Sequence, residues 1–385
     1  MTLRDVGAEP GRQRPVLLAA GGTGGHLFPA EALARVLAER GVAVELMTDT
    51  RALAYAETFP AQAVHTVAAA TPTGGSPLAK LGALLTLARG TWSARRSLGD
   101  IAPAIVVGFG GYPTVPPLLA ASLKRIPVLL HEQNAVLGRA NAFLAGRATA
   151  LATGFAELGR ASTAVRSRTT HTGNPVRPAV LAAARLPYPG FESGLFRVLV
   201  TGGSQGARVM SDVVPLALAR LPKPARDRLR VVQQARGEDE HRVRAAYREL
   251  GIAAEVAPFF PDLPARIAAA HLVVGRAGAS TVSELAVIGR PSVLVPFPHA
   301  LDQDQAANAA VLKEAGAAIV VAQSAFDPAW LVAELGRLLA DPGRLLAPQA
   351  ERARSVGIPD AAERLADLVM RVGALHPLTQ DRLAA

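Results

Sequence analysis

Short β-rich apolar runs that alternate with longer Ala/Leu-rich segments of helical period restrict the chain's possible folds more than any other feature. In the first half the runs are Val16–Ala20, Val42–Met47, Ile105–Gly108, Val128–His131 and Ala148–Ala152. Segments of helical period, such as Pro29–Arg40 and Val115–Leu123, lie between them. Near residues 174–195 the text turns rich in Pro and Gly (GNPVRP, then LPYPGFESG) and the periodicity lapses. A second series follows: Arg197–Thr201, Leu229–Gln233, Glu255–Pro258, Leu272–Val274, Pro291–Val295 and Ala318–Val321. Strands that are apolar on both faces, with helices between them, form parallel sheets covered on both sides. Two such series predict an α/β chain of two doubly wound, Rossmann-like domains facing a cleft. A length of 385 residues is also too great for one core. Residues 360–372 read as a closing amphipathic helix with Asp360 as N-cap.

Three glycine-rich stretches stand directly after predicted strands: Gly21–His26 (GGTGGH), Gly108–Tyr112 (GFGGY) and Gly202–Gly206 (GGSQG). Glycine lets the backbone turn tightly beside a ligand, and a helix N-terminus offers N–H groups to an anion. One such loop is as easily an empty strand-to-helix turn; three at strand ends favour a phosphate ligand. A dinucleotide fingerprint is not met, because Leu27 and Pro113 occupy the third glycine positions. Glu45, at the end of the second strand, keeps a nicotinamide dinucleotide as a weakened alternative. No GxxxxGK[ST] occurs, which excludes a P-loop ATPase.

Cysteine is absent, so thiolate nucleophiles, disulfides and cysteine-based metal sites are excluded. No uninterrupted apolar run approaches the roughly 18 residues of a membrane-spanning helix. The net charge is +10, and only four of the 41 basic residues are lysines: Lys80, Lys124, Lys223 and Lys313. Guanidinium suits phosphates and anionic surfaces. With 4% aromatics and no recognised motif, nucleic acid is not the expected partner; a phosphorylated substrate or an anionic lipid surface is.

The segment from Ala277 to Asn308 admits two readings. Thr281-x-x-Glu284 matches a capping box, which on spacing alone is the favoured role. In the other, loop amides hold phosphate and Glu284 accepts from a ribose diol. Asp302-x-Asp304 has the form of a metal-binding pair, but Gln305 and Asn308 suit sugar hydroxyls, and no metal is expected.

GGTGGHLFPA, GFGGYPTVP, HEQNAVLGRAN, GNPVR, TGGSQGAR, GRAGASTVSEL and PFPHALDQDQAANA follow one another from residue 21 to residue 309. In this order they resemble the motifs of the MurG family, UDP-N-acetylglucosamine transferases that complete lipid II in peptidoglycan synthesis. The resemblance implies a GT-B fold, with an acceptor and membrane-side domain at 15–175 and a UDP-sugar donor domain at 176–359. The last helix, 360–375, would cross back to the first domain, and residues 1–14 would form a disordered leader. It also implies inverting, metal-independent transfer without a cofactor, from UDP-N-acetylglucosamine to lipid I, at the cytoplasmic face of the cell membrane. Thr23, Gly24 and Gly25 would approach the donor from the first domain, with Asn134 reaching the cleft. Arg177 and Ser204 would meet the diphosphate, and Phe260 would lie by the uracil. Ala279, Ser280, Thr281, Val282 and Ser283 would hold phosphate, with Glu284 on the ribose and Gln305 on the sugar. The sequence departs from the family pattern at Asp304 and by one extra residue between His299 and Asp302.

Transfer requires a base for the acceptor hydroxyl. His26 is the expected one, since a helix N-terminus keeps an imidazole neutral; Glu132 is the alternative. Residues 78–96, with Leu78, Leu81, Leu84, Leu85 and Trp92 among Lys80, Arg89, Arg95 and Arg96, are a candidate membrane-attachment segment or an ordinary buried helix. Rival functions are transfer to another lipid acceptor, 2-epimerisation of UDP-N-acetylglucosamine, dehydrogenation, or non-catalytic nucleotide-sugar binding. The oligomeric state is left open.

Overall fold

The structure is a computed structural model, described for residues 14–21, 24–50, 59–70, 76–203, 206–300 and 303–376. Two all-parallel sheets organise it. The first carries β1 (Val16–Ala19), β2 (Val44–Thr48), β3 (Ala63–Thr66), β4 (Ile105–Gly108), β5 (Val128–Glu132), β6 (Ala150–Thr153) and β7 (Thr169–His171), in the order β3-β2-β1-β4-β5-β6-β7. Its helices are α1 (Gly24–Glu39), α2 (Pro77–Ile101), α3 (Val115–Leu123), α4 (Arg139–Ala145) and α5 (Thr163–Arg166).

The second sheet has the order β10-β9-β8-β11-β12-β13. These strands are β8 (Phe196–Thr201), β9 (Leu229–Gln234), β10 (Ala253–Ala257), β11 (Leu272–Gly275), β12 (Ser292–Leu294) and β13 (Ala318–Val320). Around it lie α6 (Pro178–Ala184), α7 (Arg208–Ala219), α8 (Lys223–Asp227), α9 (Gly237–Glu249), α10 (Leu263–Ala269), α11 (Ala279–Ile288), α12 (Asp304–Glu314), α13 (Pro328–Ala340) and α14 (Pro342–Ser355). The last helix, α15 (Ala361–Val372), follows these in sequence.

Strand alternation sends Leu18, Leu46 and Val107 to one face of the first sheet and Leu17, Met47 and Val106 to the other, all fully buried. Both faces are covered, so the central strands carry no polar alternation. The edge strands β3 and β7 were not legible. They are short and half-exposed, and AVHT and TTH contain no continuous apolar run.

Each sheet reverses its strand order at the central pair, β1/β4 in the first and β8/β11 in the second. The crevice at the carboxyl ends of such a pair is where open α/β sheets bind ligands. The chain crosses between the sheets twice, and the crossings touch at Gly173, where φ is +83° and an added Cβ would lie 2.9 Å from Ile358 Cβ. After the second crossing, α15 buries Leu365, Leu368 and Val369 against Leu33 and Leu37 of α1. Asp360 makes no side-chain cap to this helix; its carboxylate pairs instead with Arg364 at 2.9 Å.

Candidate active site

The loop after β1 leads into α1, with Gly24 and Gly25 in the first turn and His26 next. Thr23 lies outside the described residues, as does Ser204 of the third loop. His26 Nδ1 is 2.9 Å from Gln133 Oε1, and Gln133 Nε2 donates to the Phe109 carbonyl at 2.8 Å. A carbonyl only accepts, so the amide must turn its nitrogen to Phe109 and its oxygen to the imidazole. Nδ1 therefore carries the proton and Nε2 is left as a basic lone pair. The second glycine loop closes on this nitrogen: Gly110 and Gly111 have φ of +82° and +73°, and a Cβ on Gly111 would be 3.3 Å from Nε2.

Glu132 occupies a different environment. One carboxylate oxygen accepts from Asn134 N (3.0 Å) and Asn134 Nδ2 (3.3 Å), the other from Gly138 N (3.0 Å) and Asn141 Nδ2 (2.8 Å). Burial pushes its pKa up, and these donors oppose the shift. The carboxylate thus folds its own loop, which argues against the alternative base expected from sequence. Asn134 Oδ1 in turn accepts from Asn308 Nδ2 at 3.0 Å, across the domain border.

On the second domain, α11 starts at Ala279 after Gly278, whose ψ of 150° makes it the N-cap, without a side-chain cap bond. Thr281 is consequently in the first turn and Glu284 in the interior, so the favoured capping box does not form. The amides of Ala279, Ser280 and Thr281 lack intrahelical acceptors by position and face the anion-binding end of the dipole. Val282, Ser283 and Glu284 make the next turn. Glu284 is buried and pairs with Arg177 at 3.1 Å. Burial raises its pKa while Arg177 lowers it. The Arg177 guanidinium lies 4.4 Å from the ring centre of Phe28 on α1. Phe28, Gln133, Asn174, Arg177, Ser280 and Glu284 line one small cavity where the domains meet.

Phe260 is buried under the guanidinium of Arg266, 4.2 Å from the ring centre, whereas its neighbour Phe259 is 65% exposed. Gln305 Oε1 accepts from Ala277 N (3.3 Å) and Phe297 N (3.0 Å). Asn308 cannot reach a sugar: it is fully buried and bridges the domains. Glu45, which a dinucleotide would need, pairs with His65 at 2.6 Å.

The glycosyltransferase family 28 N-terminal domain matches residues 16–153, and the family 28 C-terminal domain matches residues 197–365. The chain is 62% identical over 357 residues to the UDP-N-acetylglucosamine–N-acetylmuramyl-(pentapeptide) pyrophosphoryl-undecaprenol N-acetylglucosamine transferase of Methylobacterium sp. (strain 4-46), covering 92% of this chain and 96% of the relative. The transferase of the same name from Rhodopseudomonas palustris (strain BisA53) is 55% identical over 367 residues, 94% and 97% of the two chains. The crystal structure of Acinetobacter baumannii MurG superposes with a TM-score of 0.74 at 30% identity, covering 93% of this chain and 99% of that one. The chain belongs to the MurG family. A UDP-GlcNAc 2-epimerase from Neisseria meningitidis bound to UDP-GlcNAc shares the fold at 12% identity and a TM-score of 0.63, with 93% and 100% covered.

In this MurG-family chain three further residues, which the motifs did not single out, shape the loops. Gln234 accepts from Thr201 Oγ1 (3.0 Å) and Gly202 N (3.1 Å), and donates to the carbonyls of Gly203 (3.0 Å) and Pro258 (3.1 Å). It ties the third glycine loop to the end of β10. Arg276, buried, donates to the Val295 carbonyl (2.9 Å) and Gln323 (2.6 Å) and fixes the loop after β12. Gln133 orients His26. The available signal was position alone: Gln234 ends a strand, Arg276 follows one, and Gln133 sits within the HEQN motif.

Proposed function

We propose that the chain moves N-acetylglucosamine from UDP-N-acetylglucosamine to the C4 hydroxyl of N-acetylmuramic acid in lipid I, giving lipid II. The observation that carries this is the 62% identity, over 92% of the chain, to a transferase whose name states that reaction. The first domain takes the acceptor and the second the donor.

His26 Nε2 removes the hydroxyl proton as the oxygen attacks the anomeric carbon, and the bond to the diphosphate breaks on the opposite face. The configuration inverts and UDP leaves. Its developing charge falls to the first-turn amides of α11, with Arg177 beside them; Ser204, outside the described residues, is assigned to the diphosphate by its motif alone. Enzymes lower barriers by about 8–23 kcal/mol. A preorganised donor in a dry site contributes about 3–4 kcal/mol, so several must act together. Glu284 takes the ribose diol, and the Arg177 ion pair favours its ionised form against burial. Gly24, Gly25 and Asn134 border the donor from the first domain, and Thr23, outside the described residues, is assigned to it by its motif alone. Gln305 offers the sugar its carboxamide nitrogen, since its oxygen holds two amides. Phe260 offers the uracil its backbone, while a ring contact falls to Phe259.

The surface of α2 supports membrane attachment through this helix. Leu81, Leu84, Leu85 and Trp92 are each more than half exposed, an outer face that an ordinary buried helix does not present, while Ala94 and Leu98 on the same helix are buried in the core. Arg96 stacks on Trp92 at 3.4 Å, and Lys80, Arg89 and Arg95 are exposed around them. The Leu78 side chain lies outside what is described. Among the described residues no helix is long and apolar enough to cross a membrane. The stripe therefore supports peripheral binding to an anionic surface, on the side where the UDP-sugar is supplied.

Release of UDP from UDP-N-acetylglucosamine, measured with and without lipid I, tests the function. Release that requires lipid I supports transfer. Release with a different lipid only would reassign the acceptor, and epimerised sugar without acceptor would make the chain an epimerase.

A further inference from the structure

Asn308 stands on α12, in the second domain, yet its carboxamide is shared among three backbone or side-chain groups of both domains. Its Oδ1 accepts the N–H of Ala135 at 2.8 Å, and its Nδ2 donates to Asn134 Oδ1 at 3.0 Å and to the Ala277 carbonyl at 3.2 Å. The residue is fully buried, and both amide hydrogens and the oxygen are engaged. It has no surface left for a substrate. Gln305, three residues earlier on the same helix, accepts the N–H of the same Ala277. One helix face thus grips both polar groups of Ala277, the residue directly before the Gly278 N-cap of α11. Through Asn134 and Ala135 the same carboxamide holds the loop whose preceding residue, Gln133, sets the tautomer of His26.

We propose that Asn308 is a positioning residue that locks the phosphate-facing end of α11 to the loop orienting His26, so that donor and base are held in register across the domain border. The inference rests on the donor and acceptor sides assigned above. Its physical basis is alignment: reacting groups in a near-attack arrangement lose rate steeply for displacements of about 1 Å. A carboxamide suits the task because Ala277 and Asn134 require a donor while Ala135 requires an acceptor. Aspartate has the same shape and cannot donate; alanine makes none of the bonds.

The test compares Asn308→Asp and Asn308→Ala with wild type, reading kcat, the UDP dissociation constant by calorimetry, and Tm. Because the chain has no cysteine, spin labels at Asp100→Cys and Glu238→Cys, both exposed, report the interdomain distance in the UDP-saturated state. Both variants are expected to lose about 10–100-fold in kcat with UDP affinity changed less than about threefold, and to broaden the distance distribution. Asn134→Ala combined with Asn308→Ala should cost less in kcat than the two separate losses multiplied together, since the two residues share one bond. Unchanged kcat per folded molecule, whatever the Tm, overturns the proposal. So does a loss of activity that tracks weakened UDP binding, which would make Asn308 part of the donor site itself. If wild type releases no UDP with lipid I, the functional reading fails instead, and the distance distribution alone decides the interdomain tie.

Discussion

Replacing His131 by glutamine should flatten the loss of stability that wild type suffers between pH 7.5 and pH 5. The His131 ring is fully buried beside Phe109, with ring centres 5.5 Å apart, and its Nε2 is 3.2 Å from the Gly173 carbonyl at the first crossing. Burial disfavours the imidazolium and brings the pKa down from 6.5 to about 4, against the opposing pull of the Gly173 carbonyl. Between those values the unfolded chain binds a proton that the folded chain does not. Stability therefore falls as pH drops through the window, and the full loss is about 3 kcal/mol, at about 1.4 kcal/mol per pKa unit. At pH 5 roughly 2 kcal/mol of it has been lost. Glu132 next door has a raised pKa and acts in the opposite sense, and His171 and His271 have lowered ones. All three are common to both proteins, so the difference between variant and wild type isolates the ring. Urea titrations at the two pH values, followed by circular dichroism, give the two stabilities. Glutamine retains an N–H for the Gly173 carbonyl. Identical pH slopes for the two proteins would refute the assignment of a neutral, buried His131.

Four further outcomes are expected. His26→Ala should cut kcat by roughly 10²–10⁴-fold, with UDP affinity by calorimetry nearly unchanged; Gln133→Leu, which frees the ring to adopt the wrong tautomer, should cost about tenfold in the same assay. Retention of more than a tenth of kcat by His26→Ala would make the ring a shaper of the loop. Glu284→Ala should raise KM for UDP-N-acetylglucosamine more than it lowers kcat, because a ribose contact is made before and during transfer. Leu84→Glu combined with Leu85→Glu should abolish co-sedimentation with anionic vesicles, since two or three such side chains entering lipid supply about 1.5–3 kcal/mol each; binding equal to wild type would show that another surface attaches.

Local sequence was sufficient for the central strands, because burial on both sheet faces leaves a continuous apolar run such as VLLA or IVVG, whose shortness and flanking glycine mark it as strand and not buried helix. The glycine loops were legible for a similar reason: positive φ at Gly110 and Gly111, and close packing against His26, demand that residue type wherever the sheet places them. The closing helix announced its apolar face, and the resemblance supplied the domain against which that face packs. The edges β3 and β7 were not legible, since half-exposed strands carry no such run. Roles that depend on partners far apart in the chain were decided only by the tertiary structure. Thr281-x-x-Glu284 has the spacing of a cap, but Gly278 starts the helix early and Arg177, 107 residues away, takes the carboxylate. Glu132 and His26 both had the chemistry of a base, and only their neighbours separate them: four donors around one, an amide oxygen behind the other. Asn308, read locally as a sugar ligand, lies 174 positions from Asn134 and bridges to it. Apolar burial is a sum over many weak contacts and survives averaging into a pattern, whereas a hydrogen bond joins two particular atoms whose meeting the chain's path alone arranges.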